Sequence, residues 1–175
     1  MERYAAEPKS GKDIARFVTK VRGALGLENV QWLDVVRLLE YMPFLFPGFC
    51  FKIAAEDELP PSVQANTDPV KRIIRVRRSV YDGAYEGKAR DRFTIAHELG
   101  HFFLMCKFGV RFSRAAPDAK LPPYIDPEWQ ANCFAGELLA PSHLIRGMTA
   151  EEVSSTFGVS RTAAEIQLRE CHRRN

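Results

Sequence analysis

At 175 residues, 46% of them apolar and 27% charged, the chain suits one folded domain and excludes wholesale disorder. Its net charge of +3 is too small to argue by itself for nucleic acid. The most apolar stretch, 42–55, is too short for a membrane span and is broken by Pro47, Gly48 and Lys52.

The N-terminal residues contain no apolar run, so no secretory signal is read, and the four cysteines (Cys50, Cys106, Cys133, Cys171) show no CxxC spacing. Together these predict reduced thiols and a cytoplasmic location, without membrane contact. In chain order, residues 10–25 read as an amphipathic helix. Ser10 and Asp13 form a start signal akin to a capping box, and Ile14, Phe17, Val18, Val21 and Leu25 recur on one face. Residues 31–41 predict a second helix with Trp32, Val35, Val36 and Leu39 inward, ended by Pro43. Between 49 and 80 the texture turns to β. FCFKIAA and RIIRVRRSV are short aromatic or β-branched runs, parted by Pro60, Pro61, Asn66 and Pro69, and predict strands of a small sheet. Residues 91–106 form an apolar helix interrupted by two histidines and a glutamate. A proline-rich loop at 113–127 leads to a helix running from near Glu128 to Pro141. The tail, 149–172, reads as helix, Gly-Val-Ser turn, helix, with Val153, Phe157, Val159, Ala164, Ile166 and Leu168 as core.

The chemistry is concentrated in His97-Glu98-Leu99-Gly100-His101. Helical residues four apart share a face, so both imidazoles can reach one ion while Glu98 flanks the same site. Two neutral histidines plus a carboxylate suit zinc, one ion per chain, in tetrahedral geometry with a position left for water. An otherwise apolar helix has no packing reason to carry these three polar groups. Gly100 costs the helix roughly 1 kcal/mol against alanine, and its lack of a side chain leaves room for a second backbone.

The third protein ligand must come from elsewhere, and Asp118, Asp126, Glu128 and Glu137 are the candidates. Glu128 is preferred because it opens a helix whose other face (Ala131, Phe134, Ala135, Leu138, Leu139) is core. Asn132, on the Glu128 face, can hydrogen-bond a ligand. Glu137 lies nearly opposite on that helix. Spacing alone leaves Glu128 equally readable as an ordinary negative charge at a helix N-terminus.

Two segments, RFTIAHELGHFFL at 92–104 and EWQANCFAGELLAP at 128–141, together resemble the ImmA/IrrE family of bacterial and phage metallopeptidases. The resemblance implies that His97 and His101 are metal ligands, Glu98 the catalytic carboxylate and Glu128 the third ligand. It departs at Gln130, where relatives often carry glutamate, and at Ala140, where methionine is common. It further implies a regulatory protease acting on a helix-turn-helix repressor and switched on by DNA damage or phage-related stress.

Peptide hydrolysis of this kind needs a base for the attacking water, Glu98, and a further donor for the developing oxyanion, for which Tyr124, Arg92 and His143 are candidates. The strand near 73–79 is the candidate sheet edge to which an extended substrate adds. Cys106, five residues past His101, is a candidate inhibitory fourth ligand; its other reading is a small buried hydrophobe. Lys71, Arg72, Arg75, Arg77 and Arg78, then Lys88, Arg90 and Arg92, offer a surface for a nucleic-acid activator, or else a charged edge that discourages aggregation. The helix-turn-helix outline of the tail is read as packing.

The expected fold is an α+β zincin-like metallopeptidase domain, with helices packed on a small mixed sheet and the zinc site between the 91–106 and 128–140 helices. Residues 1–148 would form that domain, with 149–175 a helix-turn-helix-like segment packed on the same core. The expected function is a regulatory zinc endopeptidase. The rival is a non-catalytic, metal-containing sensor or binding module for protein or nucleic acid, which would have no use for Glu98.

Overall fold

Ser10 starts the first helix as its spacing predicts. The computed structural model describes residues 3–108, 113–115 and 121–174, with side chains described for 5–105 and 121–173. After strand β1 (Arg3–Ala5), helix α1 (Gly11–Ala24) opens on a reciprocal box: the Asp13 N–H donates to Ser10 Oγ and the Ser10 N–H to Asp13 Oδ2, both at 3.2 Å. Ile14, Val18 and Val21 face the core.

Helix α2 (Val35–Leu45) departs from expectation at both ends. It starts later, because Asp34 caps it by accepting from the Arg37 N–H at 2.9 Å. It also carries Pro43 inside its last turn instead of ending before it. Trp32 therefore lies outside the helix, and at 49% exposure it is no core residue.

Strands β2 (Cys50–Ala54), β3 (Ala65–Asp68) and β4 (Ile73–Arg77) form a mixed sheet in the order β2-β4-β3. β4 pairs with β2 in parallel and with β3 in antiparallel fashion. The strand expected at the edge, β4, is thus central, and β3 takes the outer position. β3 is short and polar (ANTD), so its sequence reads as loop. β4 also stops sooner than its β-branched run suggests, giving way to α3 (Arg78–Tyr85). The cause is non-local: Glu56 Oε1 accepts the Ser79 N–H at 2.9 Å, and the buried Arg77 side chain donates to the carbonyls of Val63, Leu59 and Pro60.

Helix α4 (Ala89–Phe108) runs against the sheet, and α5 (Pro127–Leu139) packs along it. Beyond α4, strand β5 (Ser113–Ala115) pairs antiparallel with β1. Phe102 and Phe103 anchor α4 in an aromatic cluster. Phe49 and Phe46 meet Phe102 edge-on at 4.6 and 5.8 Å, and Phe103 stacks on Phe134 of α5 at 5.5 Å. Such pairs add about 0.5–1.5 kcal/mol each beyond their buried area. The tail folds as α6 (Ala150–Phe157) and α7 (Arg161–Arg174), turned by Gly158 at φ 64°. Val153, Phe157, Val159, Ala164 and Cys171 join the main core, whereas Ile166 is exposed. The result is an α+β fold of seven α-helices and a small mixed sheet among the described residues. None of the described helices is long and apolar enough to cross a membrane.

Gly100 sits at a close approach of α4 to α5. A Cβ there would come within 3.1–3.2 Å of the Ala131 carbonyl oxygen, Ala131 Cα and Phe134 Cβ. These neighbours belong to a packed helix and cannot swing aside. Gly100→Ala is expected to lower stability by about 1 kcal/mol or more in urea denaturation, overpacking outweighing the gain in helix propensity. A variant as stable as the parent would show that the helices have room to part.

Candidate metal centre

The two helices that meet over Gly100 bring three side chains to one point. His97 and His101, a turn apart on α4, face Glu128 in the first turn of α5. The Nε2 atoms of the two imidazoles lie 3.0 Å apart. Glu128 Oε2 is 3.2 Å from His97 Nε2, and its Oε1 is 3.3 Å from His101 Nε2. Both histidines are largely buried, and Glu128 reaches them from the open side.

These distances suit a shared cation. Two ligands at about 2.1 Å from a tetrahedral zinc stand about 3.4 Å from each other, close to the separations observed. The donor chemistry agrees. His97 Nδ1 lies 2.9 Å from Asn132 Oδ1, an oxygen that can only accept, so Nδ1 is the nitrogen that donates there and Nε2 is the one left to face an ion at the centre. Asn132 stands one turn after Glu128, where the face-sharing argument put it. The hydrogen bonds from His101 and then His97 hold the Glu128 carboxyl well below the usual carboxylate range. Burial pushes the His97 pKa down, but the Glu128 hydrogen bond and the Glu98 charge outweigh it, and the net direction is up. Negative charge thus prevails around the imidazoles, as a cation site requires.

Glu98 is buried one step around α4. Its Oε2 accepts a 2.6 Å hydrogen bond from the Thr67 hydroxyl on β3, whose oxygen also lies 3.1 Å from the Glu98 carbonyl. The outer strand is therefore tied to the carboxylate beside the three-residue cluster. Thr67 escaped the sequence reading, since a threonine in a four-residue polar strand carries no local signal.

The remaining candidates fall elsewhere. Asp126 caps α5, accepting the Glu128 N–H at 3.0 Å. Glu137 is buried at the other end of that helix, accepting from the Ser142 N–H, the Ser142 hydroxyl and the Gln167 amide. His143 Nε2 is 2.9 Å from the Glu28 carbonyl oxygen, at that same end of α5. Arg92 is no oxyanion donor: it is buried, donates to the Phe157 and Gly158 carbonyls at 3.0 and 3.1 Å, and lies 4.2 Å over the Trp32 ring. The basic run is broken for the same reason. Arg77 and Arg92 point inward, while Lys71, Arg72, Arg78, Lys88 and Arg90 are exposed. Tyr124 is exposed in the turn just before α5. Gln130 is buried and donates to the Glu7 and Tyr124 carbonyls at 2.8 Å, a task a carboxylate cannot perform. The Cys106 side chain and Asp118 lie outside the described residues.

Residues 61–169 match the model of the IrrE N-terminal-like domain, a peptidase family, and the chain belongs to that family. The match takes in α4 and α5 entire, so the cluster lies on the family's own elements. Among solved structures the chain is similar to a Mycobacterium tuberculosis transcriptional regulator, with a TM-score of 0.55 and 18% identity. The likeness covers 89% of this chain but 46% of that one, and is one of fold. No curated protein matches the sequence.

If Asn132 sets the His97 tautomer, Asn132→Ala should weaken zinc binding about 10- to 100-fold in competition with a chromophoric chelator. Unchanged affinity would remove Asn132 from the centre.

Proposed function

We propose that the chain is a regulatory zinc-dependent endopeptidase whose substrate is a partner helix-turn-helix repressor, in a stress- or phage-related response within the cytoplasm. Membership of a peptidase family supports proteolysis. The observation that carries the reading is the His97–His101–Glu128 cluster with Glu98 held beside it by Thr67.

His97, His101 and Glu128 would hold the ion. When bound, zinc supplies Lewis acidity to the scissile carbonyl and makes water more acidic. Glu98 takes the proton of the attacking water and delivers it to the departing amine. The Thr67 hydroxyl occupies Oε2, leaving Oε1 as the oxygen that moves the proton, and restrains the carboxylate from turning away. Because Thr67 lies on the outer strand, the same strand offers its free edge to an extended substrate chain, which would then lie alongside Glu98. Tyr124, in the turn leading into α5, is the remaining candidate for the second oxyanion donor. Residues 1–148 and the helical segment 149–175 act as one unit in this reading, a view supported by the burial of Phe157 and Val159 in the common core.

Glu98→Gln keeps the cluster and removes the base. With the zinc-loaded protein and the repressor encoded by a neighbouring gene, cleavage followed by mass spectrometry should fall about 10²- to 10⁴-fold. Equal bound zinc in both proteins would show that the centre survives. Cleavage at the parental rate would exclude Glu98 as the base. A repressor left intact by the parent under DNA-damage, metal-shift and nucleic-acid conditions would exclude that partner.

A further inference from the structure

Behind the His97–Asn132 pair, α4, α5 and α7 enclose a groove of about 680 Å³. Its apolar lining comes from Phe93 of α4, Trp129 and Cys133 of α5, and Ala163 and Ile166 of α7. Ile166, expected in the core, is instead 46% exposed on its wall. Two cations stand at the rim, Arg90 of α4 and Arg169 of α7. Both are exposed, and neither side chain has an ion-pair partner among the described residues. The carboxylate on the lining, Glu170, is already paired with Arg173 at 3.1 Å.

The groove adjoins the metal centre, with Asn132 between the two. On α4, Arg90, Phe93 or Thr94, and His97 recur at helical spacing on one face. On α5, Asn132 both lines the groove and receives the His97 hydrogen bond. From His97 to Arg90 the helix rises roughly 10 Å, the reach of about three extended residues. A polypeptide bound at the centre is therefore within a few residues' reach of the groove. An apolar trough with two exposed cations at its side, unpaired among the described residues, suits a large apolar side chain next to a carboxylate. Nucleic acid would call for a longer cationic track and stacking faces along it.

We infer that the α4–α5–α7 groove is a substrate-binding site adjoining the metal centre. It takes an acidic-apolar segment of the polypeptide, within about three residues of the cleaved bond. Placing the segment by the cleaved bond rests on the reading of the centre as an endopeptidase; the affinity of the groove for such a peptide does not.

The test is a titration of the full ¹⁵N-labelled chain with acetyl-Glu-Leu-Phe-Asp-amide and, separately, acetyl-Lys-Leu-Phe-Lys-amide. The Trp129 indole N–H resonance, told from that of Trp32 with Trp129→Phe, reports the groove. The acidic peptide should shift it and the amides of 163–169, with affinity at least roughly tenfold above the lysine peptide, a difference of ~1.4 kcal/mol. Arg90→Glu combined with Arg169→Glu should reverse that preference, with spectral dispersion showing that the doubly substituted chain is folded. The comparison of the two peptides on the unaltered chain stands without it. A Trp129 resonance unmoved by either peptide at millimolar concentration, or moved equally by both, overturns the proposal. Failure of the zinc reading is seen separately, as lost metal and lost cleavage with groove binding intact.

Discussion

The close passage of α4 over α5 at Gly100 governs the rest of the molecule. The two histidines are fixed relative to each other by helical geometry alone, but the carboxylate that completes their cluster comes from a different helix. Its position depends on how near the two backbones come. With the Ala131 carbonyl oxygen only 3.1 Å from where a side chain would begin, that separation is set by contact, not by solvent. The aromatic cluster around Phe102, Phe103 and Phe134 then holds the pair in rotation, so the imidazoles face Glu128 instead of the sheet. Packing at one face of α4 positions the chemistry at the other.

Buried arginines do a second structural task. Arg22 of α1 donates to the carbonyls of Leu138 and Val30, Arg77 to three carbonyls of the loop before β3, and Arg92 to those of Phe157 and Gly158. Two of these groups close the C-terminal turns of α5 and α6, where backbone carbonyls lack helical partners. Each guanidinium also ties together segments far apart in sequence: α1 to α5, β4 to its preceding loop, α4 to the tail. The charge is dispersed over several carbonyl oxygens, so burial is tolerated at Arg22 and Arg92 without an ion pair, while Arg77 adds a 3.4 Å contact to the Glu56 carboxylate. Arg92 carries this furthest, with Trp32 stacked on its plane and Gly158 packed beneath the same indole.

What was legible in the sequence follows from the range of each interaction. The capping box at Ser10, the turn at Gly158 and the α4 and α5 helices depend on residues within a few positions, and their signals are local. The His97–His101 pair is legible for the same reason, and Asn132 follows from its face. What was not legible is set from a distance. Glu56 caps α3 across more than twenty residues, ending a strand that its β-branched run would have continued. Thr67 gains its importance only when β3 docks on α4. The outer position of β3 depends on pairing order, which no single strand records. Arg77 and Arg92 look like surface charge in the sequence, because the carbonyls that satisfy them belong to other segments.

Closed packing on one side and an open groove on the other leave His97, His101 and Glu128 as the point where fold and chemistry meet. X-ray absorption at the zinc edge, on full-length protein loaded with one equivalent of zinc, examines that point most directly. The spectrum should show light-atom scattering at about 2.0–2.1 Å with the outer-shell signature of two imidazoles, and the imidazole signature should halve in His101→Ala. A protein that retains no metal after loading, or a zinc shell without imidazole scattering, would contradict the assignment of these three residues as its ligands.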